Sequence, residues 1–426
     1  MEKTLMTSTN KKPTAAIVGA GPAGLAAALG LHQRGWDVRL YERYPEVKAA
    51  GNILNLWPTP QKALRALGVD TADLGAPAFT QLRRYDGRIR AEFRMPEDVA
   101  KEYNGGFIGL IRWGLYKRMI DALPEGVLQL SHKFKGFTDN GDSVQVKFDG
   151  HDAVTVDLLV GADGIDSTVR KELWGDSPKR YHGLHLMGGW FLTDESIGTR
   201  GVFAHDRTVQ GSYTPIRHEG RNGYEWWVLE KWVPQTPFIE RDIRAYALER
   251  AGHFDEPLPS FIKRTAPEDT HRWEIVDRVP MKQWSKGRVT LVGDAAHPTS
   301  PYAAYGAGMS IEDGYLLGRF LADVNGTNTA ALSSALQAFE ENRKPHTSKV
   351  SQQAYFTGKI FHHAPAFVRP IRDFIFDHTR FLQKSQGDAV PQHIIKQLPS
   401  IEDAPPTAVN KRPLSGQDSV ERSPRS

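Results

Sequence analysis

The run TAAIVGAGPAGLAAALGLHQRGWDVRLYER, residues 14–43, decides the fold. It opens on a short apolar strand, TAAIV, continues through GAGPAG and a small-residue helix to Gly35, and ends in a second strand, WDVRLYER. A strand–turn–helix–strand unit of this length is the core of a doubly wound α/β sheet. Within the turn, Gly19 permits the tight bend, Gly21 lets backbone approach a pyrophosphate, and Gly24 lets the helix lie close on the strand. Ala20 and Ala23 keep the loop small, and the helix N-terminus favours an anion. Glu42 ends the second strand 18 residues after Gly24. A carboxylate there suits a ribose 2′-hydroxyl and repels a 2′-phosphate. A dinucleotide is the ligand this predicts, and NAD and FAD satisfy it equally.

Outward from that unit, the 426 residues are enough for two domains or one large α/β unit. Formal net charge is +4, carried by the two ends, so the body gives no case for a nucleic-acid face. The chain has no cysteine, which excludes disulfides, thiolate catalysis, thiolate zinc sites and iron–sulfur clusters. The first thirteen residues are polar, and no window reaches the length of a membrane span. A soluble, cytoplasmic protein is the expectation.

Helices are predicted over 57–68, 112–123, 307–324 and 330–352, and strands between 127 and 160. The region 181–280 is aromatic and strand-like, with YEWWVLEKW its clearest run. It reads as a sheet inserted into the nucleotide fold. The expected organisation is a first nucleotide-binding part at 14–178, a substrate sheet at 179–273, and a second nucleotide-binding part at 274–350. A C-terminal helical segment follows at 351–400, then a Pro- and Ser-rich tail at 401–426 expected to be disordered.

Two further patches repeat the strand-then-glycine pattern. DLLVGADGIDSTVR (157–170) contains Asp163, although helix capping by Asp166 or Ser167 explains its DST equally well. GRVTLVGDAAHPTSPYAAYGAGMSIEDG (287–314) puts Asp294 at the end of a buried strand. Gly306 and Ala307 then offer bare amides at a helix start. A loop near residue 20 and an acidic strand end near 300 imply a long ligand spanning the sheet edge. FAD is such a ligand, and NAD would not need the distant pair.

In this order and spacing the three patches resemble the single-component (group A) flavin-dependent aromatic hydroxylases, the family of p-hydroxybenzoate, salicylate and 3-hydroxybenzoate hydroxylases. GAGPAG with Glu42 and Arg43 resembles its ADP-binding site, GADGIDSTVR its second motif, and GDAAHPTSPYAAYGAGMSIEDG the motif that holds the ribityl chain and flavin edge. Arg112 sits where the family has an FAD-contacting arginine, and AAGNIL (49–54), with Gly51 and Asn52, resembles its glycine turn beside the flavin. The resemblance covers residues 14–350. It implies a Rossmann-like FAD-binding domain with an inserted β-sheet substrate domain and C-terminal helices. It also implies a monooxygenase using FAD, NADH or NADPH, and O₂ to hydroxylate a small aromatic through a flavin C4a-hydroperoxide. Oxidation, epoxidation or rearrangement of a non-phenolic natural product is the alternative. Monomer and homodimer both remain open.

Three departures from the family pattern stand out. A common form of the third motif is PxxGQGxN, whereas this chain has Pro301-Tyr302-Ala303-Ala304-Tyr305-Gly306-Ala307-Gly308. By resemblance the Pro301 carbonyl lies near the reactive flavin edge, and the Tyr305 phenol either reaches the pocket or packs. Gly188 stands where many relatives of salicylate hydroxylase have an arginine. The expected Tyr-Pro pair appears as Tyr213-Thr214-Pro215, which leaves Tyr213 either a substrate contact or a core residue. His297 is read as ordering its turn, and no histidine spacing suggests a metal. An NAD-linked dehydrogenase and a catalytically silent FAD-binding protein are the readings from other classes.

Overall fold

Thr14–Val18 is the middle strand of a five-stranded parallel sheet whose order is Val289–Leu291, Leu158–Gly161, Thr14–Val18, Asp37–Tyr41, Leu128–Gln129. Ile17 lies between Val160 and Leu40 in register, and all three are fully buried. Continuous apolar runs such as these are what a parallel sheet covered on both faces requires. The computed structural model describes residues 12–47, 53–103, 105–238 and 242–402.

The first helix, Pro22–Gln33, packs on this sheet and against Gly306–Phe320. Their contact is made by glycines. A Cβ on Gly30 would stand 2.6 Å from the Gly314 carbonyl oxygen, and one on Gly314 would stand 2.3 Å from Ala27 N. The two helices therefore touch backbone to backbone, and their N-termini are fixed relative to each other. A three-stranded antiparallel sheet (Phe134–Asp139, Val144–Phe148, Val154–Val156) lies beside the parallel one.

The second large sheet has nine strands. Its order is Thr270–Asp277, Arg180–Thr193, Arg221–Lys231, Gln210–His218, Arg200–His205, Ala76–Arg84, Phe107–Ile111, Ile53–Leu56, with Ile89–Glu92 paired to Ala76–Arg84. The sequence placed this sheet at 179–273. The structure adds four strands from residues 53–111, because Ala76–Arg84 pairs in parallel with Arg200–His205 and continues the sheet across the chain. Within 243–264 the chain forms two helices, Ile243–Ala251 and Leu258–Arg264, which cover the outer face through Tyr213, Trp226, Val228 and Phe261.

The opposite, inner face carries Phe203, Ser212, Thr214, Glu225 and Trp227, which alternate with the outer set along paired strands. Trp227 and Leu186 on this face pack against Tyr302 of the turn that precedes the Gly306 helix. The long helix Thr329–His362 runs past residue 350 without a break. Arg369–His378 and Ala389–Ile394 complete the C-terminal region. Among the described residues no helix is long and apolar enough to cross a membrane.

Candidate active site

The GAGPAG turn has the geometry its glycines require. Gly19 has φ +103°, and a Cβ there would meet the Ala162 carbonyl oxygen at 2.5 Å. A Cβ on Gly24 would lie 1.9 Å from the Gly19 carbonyl oxygen, so only glycine lets the helix pass this close. At Gly21 nothing lies within 4 Å, which leaves an open approach to the N-terminus of Pro22–Gln33. Glu42 closes the far side, its Oε2 accepting the Ala20 N–H at 2.9 Å and its Oε1 the Tyr44 N–H at 3.2 Å. Ala23 is buried beneath the loop. Arg43 is exposed, with its guanidinium stacked over the Tyr44 ring. Gly51 and Asn52 lie outside the described residues.

Across the sheet edge stands Asp294. It is solvent-accessible, yet surrounding protein atoms hold its pKa above the ordinary carboxylate value, against the pull of His297 and Arg112. Accessible and crowded together describe a carboxylate on the floor of a cleft. It makes no hydrogen bond among the described residues. Arg112, at the start of Arg112–Asp121, is half-buried and close enough to influence Asp294, Tyr116 and Glu225.

The loop bearing Asp294 is fixed from behind. Asp313, fully buried, accepts the Gly293 N–H at 2.8 Å and bonds His297 Nε2 at 2.5 Å, while Arg343 Nε donates to its other oxygen at 2.7 Å. His297 therefore orders the turn. Three opposing groups outweigh the burial of Asp313 and hold it down to about 2: the His297 and Arg343 charges and its hydrogen bonds. Burial pushes Glu312 up to about 7, although the Arg343 charge and the Tyr305 hydrogen bond pull it down.

Beyond the loop, Gly306–Phe320 begins with no side-chain cap, and its first intrahelical acceptor serves Met309. The N–H groups of Gly306, Ala307 and Gly308 thus have no helical partner. Thr299 Oγ1 and Ser300 Oγ, just before it, are buried without hydrogen bonds. Open space at Gly21, a carboxylate without a hydrogen bond, bare helix amides and orphaned hydroxyls along one cleft fit the long dinucleotide that the sequence implied.

Other expected residues fall elsewhere. Tyr305 is 2% exposed, and its hydroxyl donates to Glu312 Oε1 and lies 3.2 Å from the Ile394 carbonyl oxygen, so it packs and does not line the cleft. Tyr213 lies on the outer face against Phe261 and Tyr224, beside a surface cleft with Phe79, Gln81 and Arg200. Its neighbour Thr214 is the residue on the inner face. The Pro301 carbonyl accepts the Ala304 N–H at 2.9 Å within a 3₁₀ turn. Ala304 takes the left-handed conformation, φ +45°, that a glycine would adopt freely, and its carbonyl accepts Trp57 Nε1–H at 2.9 Å. Asp163 is committed to its own turn. It accepts Ser167 Oγ–H at 2.5 Å and the Thr168 and Val169 N–H groups, while Ser167 caps the following helix.

Two residues were not anticipated. Tyr302 donates its hydroxyl to His362 Nε2, because His362 Nδ1–H is taken by the Thr208 carbonyl at 3.0 Å. Its ring rests on Gly358 and Leu184. Glu225 is 1% exposed, and neither oxygen has a hydrogen bond of good geometry. Burial pushes it up to about 8, against the nearby Asn55 amide and Arg112 charge. A lone acid in an aromatic-rich strand leaves no sequence signal of that kind.

The chain matches a family model described as FAD binding domain over residues 12–354. It is 30% identical over 357 residues to the 6-hydroxynicotinate 3-monooxygenase of Pseudomonas fluorescens, covering 80% of this chain and 90% of that protein. It is 30% identical over 382 residues to an aurachin C monooxygenase/isomerase of Stigmatella aurantiaca, covering 88% and 96%. Among solved structures, a variant of HpxO from Klebsiella pneumoniae in complex with FAD superposes with a TM-score of 0.73 at 25% identity, covering 86% of this chain and 95% of that one. A dinucleotide cleft between a parallel sheet and a broad mixed one, with these matches across most of the chain, has one meaning: the chain belongs to the FAD-dependent aromatic hydroxylases and monooxygenases.

Proposed function

We propose that this monooxygenase hydroxylates a small, uncharged, electron-rich aromatic or heteroaromatic ring seated between the inner face of the nine-stranded sheet and the Pro301–Ala304 turn. The observation that carries the reading is the chemistry of that face. Around Trp227 it presents Gly188, Phe203, Ser212, Thr214 and Glu225, none of them cationic, with the Arg112 charge near Glu225. Gly188 pairs opposite Trp227, so a side chain at that position would lie over this face; here the position is bare. A substrate carboxylate would enter a low-dielectric site against the buried acid Glu225, at a cost of several kcal/mol in order of magnitude.

The polar groups on this face suit a hydroxyl or ring N–H instead. His205 sits in a pocket that keeps it neutral, and its Nε2 lies 3.1 Å from Gln210 Oε1. Gln210 Nε2 donates to Ser212 Oγ at 2.9 Å, which leaves the Ser212 proton free to donate onward. Thr214 Oγ1 is buried without a partner and supplies an acceptor or a donor. Trp227, Phe203 and Tyr302 exclude water and fix the ring plane.

In this reading FAD would be held by the Gly19–Gly24 turn at the pyrophosphate, Glu42 at the ribose, Asp294 at a ribityl hydroxyl, and the Gly306 and Ala307 amides at the flavin carbonyls, with Arg112 contributing charge near Asp294. Bound FAD, reduced by NADH or NADPH, supplies the oxygen-activating chemistry. A cysteine-free chain that draws on a nicotinamide reductant suits a cytoplasmic enzyme, as monomer or homodimer.

Matched substrate pairs test the reading: phenols against hydroxybenzoates, and hydroxyquinolines against their carboxylates. Stimulated NAD(P)H oxidation, O₂ uptake and product mass are recorded for each. The uncharged member should stimulate turnover and gain one oxygen. Stronger stimulation by the carboxylates would overturn it, and a rearranged or epoxidised product would favour the non-phenolic alternative.

A further inference from the structure

Fifteen large hydrophobic side chains are exposed among the described residues, and seven of them fall between residues 356 and 381. Scattered exposed apolar residues need no explanation, but a cluster does. Phe367 is 80% exposed, Phe374 63% and Ile371 61%. Ile371, Phe374 and Ile375 recur at the spacing of one helical face on Arg369–His378. The opposite face is firmly docked. Arg372 NH1 donates to the Phe361 carbonyl at 2.6 Å, and the buried Phe376 ring packs on Phe361 at 5.2 Å. The outward apolar face thus belongs to a well-anchored helix.

Charge around the patch is one-sided. Its two acids are already paired, Asp373 with Arg372 and Asp377 with Arg90. Lys359, Arg369, Arg380 and Lys384 have no carboxylate partner among the described residues. We propose that this corner of the molecule docks on an anionic phospholipid surface, with Phe367, Ile371 and Phe374 entering the interface and the four cations meeting phosphate headgroups. The arrangement is that of a helix lying in the interface, not crossing it.

Other occupants fit less well. A second copy seated on the same patch would bring the unpaired cations of both chains together. The segment 403–426 offers only Val409, Leu414 and Val420 as large apolar cover, and its four cations outnumber its three acids.

Flotation of the full-length, FAD-loaded protein with phosphatidylcholine vesicles, with and without phosphatidylglycerol, tests the proposal. Binding is expected only with phosphatidylglycerol and should weaken with salt. Ile371→Ser/Phe374→Ser should lower the bound fraction about tenfold. Arg380→Gln/Lys384→Gln, which leaves the apolar face intact, should weaken binding in the same direction. Flavin content and circular dichroism verify that each variant is folded. Absence of flotation, or flotation untouched by both variants, would overturn the proposal. So would a wild-type dimer that the serine variant converts to monomers, which would assign the face to a second copy.

Discussion

The Tyr305 hydroxyl and the Glu312 carboxylate satisfy each other in a fully buried place, with Arg343 completing the cluster. Tyr305→Phe removes the hydroxyl that donates to Glu312 Oε1 and should cost about 1–2 kcal/mol in denaturant unfolding. The ratio of product formed to NAD(P)H consumed should not change. A changed ratio with unchanged stability would return Tyr305 to the substrate pocket. Glu225 makes the opposite kind of statement. Its folded pKa, raised by burial from 4.5 to about 8, means that the folded state holds a proton which the unfolded chain releases. Stability is therefore full below the unfolded value and is lost as pH rises through about 8. Glu225→Gln should flatten that dependence and leave the variant more stable than the parent at pH 9 by on the order of a few kcal/mol. Parallel pH profiles of the two proteins would show an error here.

At the scale of elements, the cleft depends on two helices held backbone to backbone by Gly30, Gly314 and Gly318. A methyl group on Gly314 has no space, because Ala26 and Ala27 backbone lies within 2.5 Å of where it would go. Gly314→Ala should destabilise by roughly 1–3 kcal/mol or more and weaken FAD retention, since it separates the two N-termini. Equal melting temperatures and equal flavin content would contradict this. Much of this level was legible in the sequence. GAGPAG and Glu42 pointed to the parallel sheet, and GRVTLVGDAAH to the strand Val289–Leu291 at its edge. The inner face was not legible. Both faces of the nine-stranded sheet are buried, so the alternation in QGSYTPIRH cannot say whether Tyr213 or Thr214 looks toward the cleft. The strands at 53–111 were missed because three of them are only four or five residues long, and the longest, Ala76–Arg84, joins Arg200–His205 more than a hundred residues further on. Tyr302 and Glu225 were missed because their roles come from neighbours that only the fold supplies, His362 and Asn55.

At the scale of the molecule, two sheets with different duties meet at one loop. The parallel sheet presents the Gly19–Gly24 turn and Asp294 from its strand ends, and the nine-stranded sheet closes over the Pro301–Ala304 turn where Trp227 meets Tyr302. A ligand that spans that distance ties both sheets to the Gly306 helix, so it should stabilise the whole chain by mass action. Asp294 is the best test of the span, because it makes no hydrogen bond to the protein among the described residues and its loss should leave the apoprotein intact. The measurement is FAD titration of the Asp294→Ala apoprotein by flavin fluorescence, paired with its melting temperature with and without FAD. The dissociation constant should rise at least about tenfold, corresponding to about 1.4 kcal/mol, and the FAD-induced rise in Tm should shrink while the apoprotein melts as before. An unchanged dissociation constant and an unchanged thermal shift would contradict the placement of FAD across this cleft.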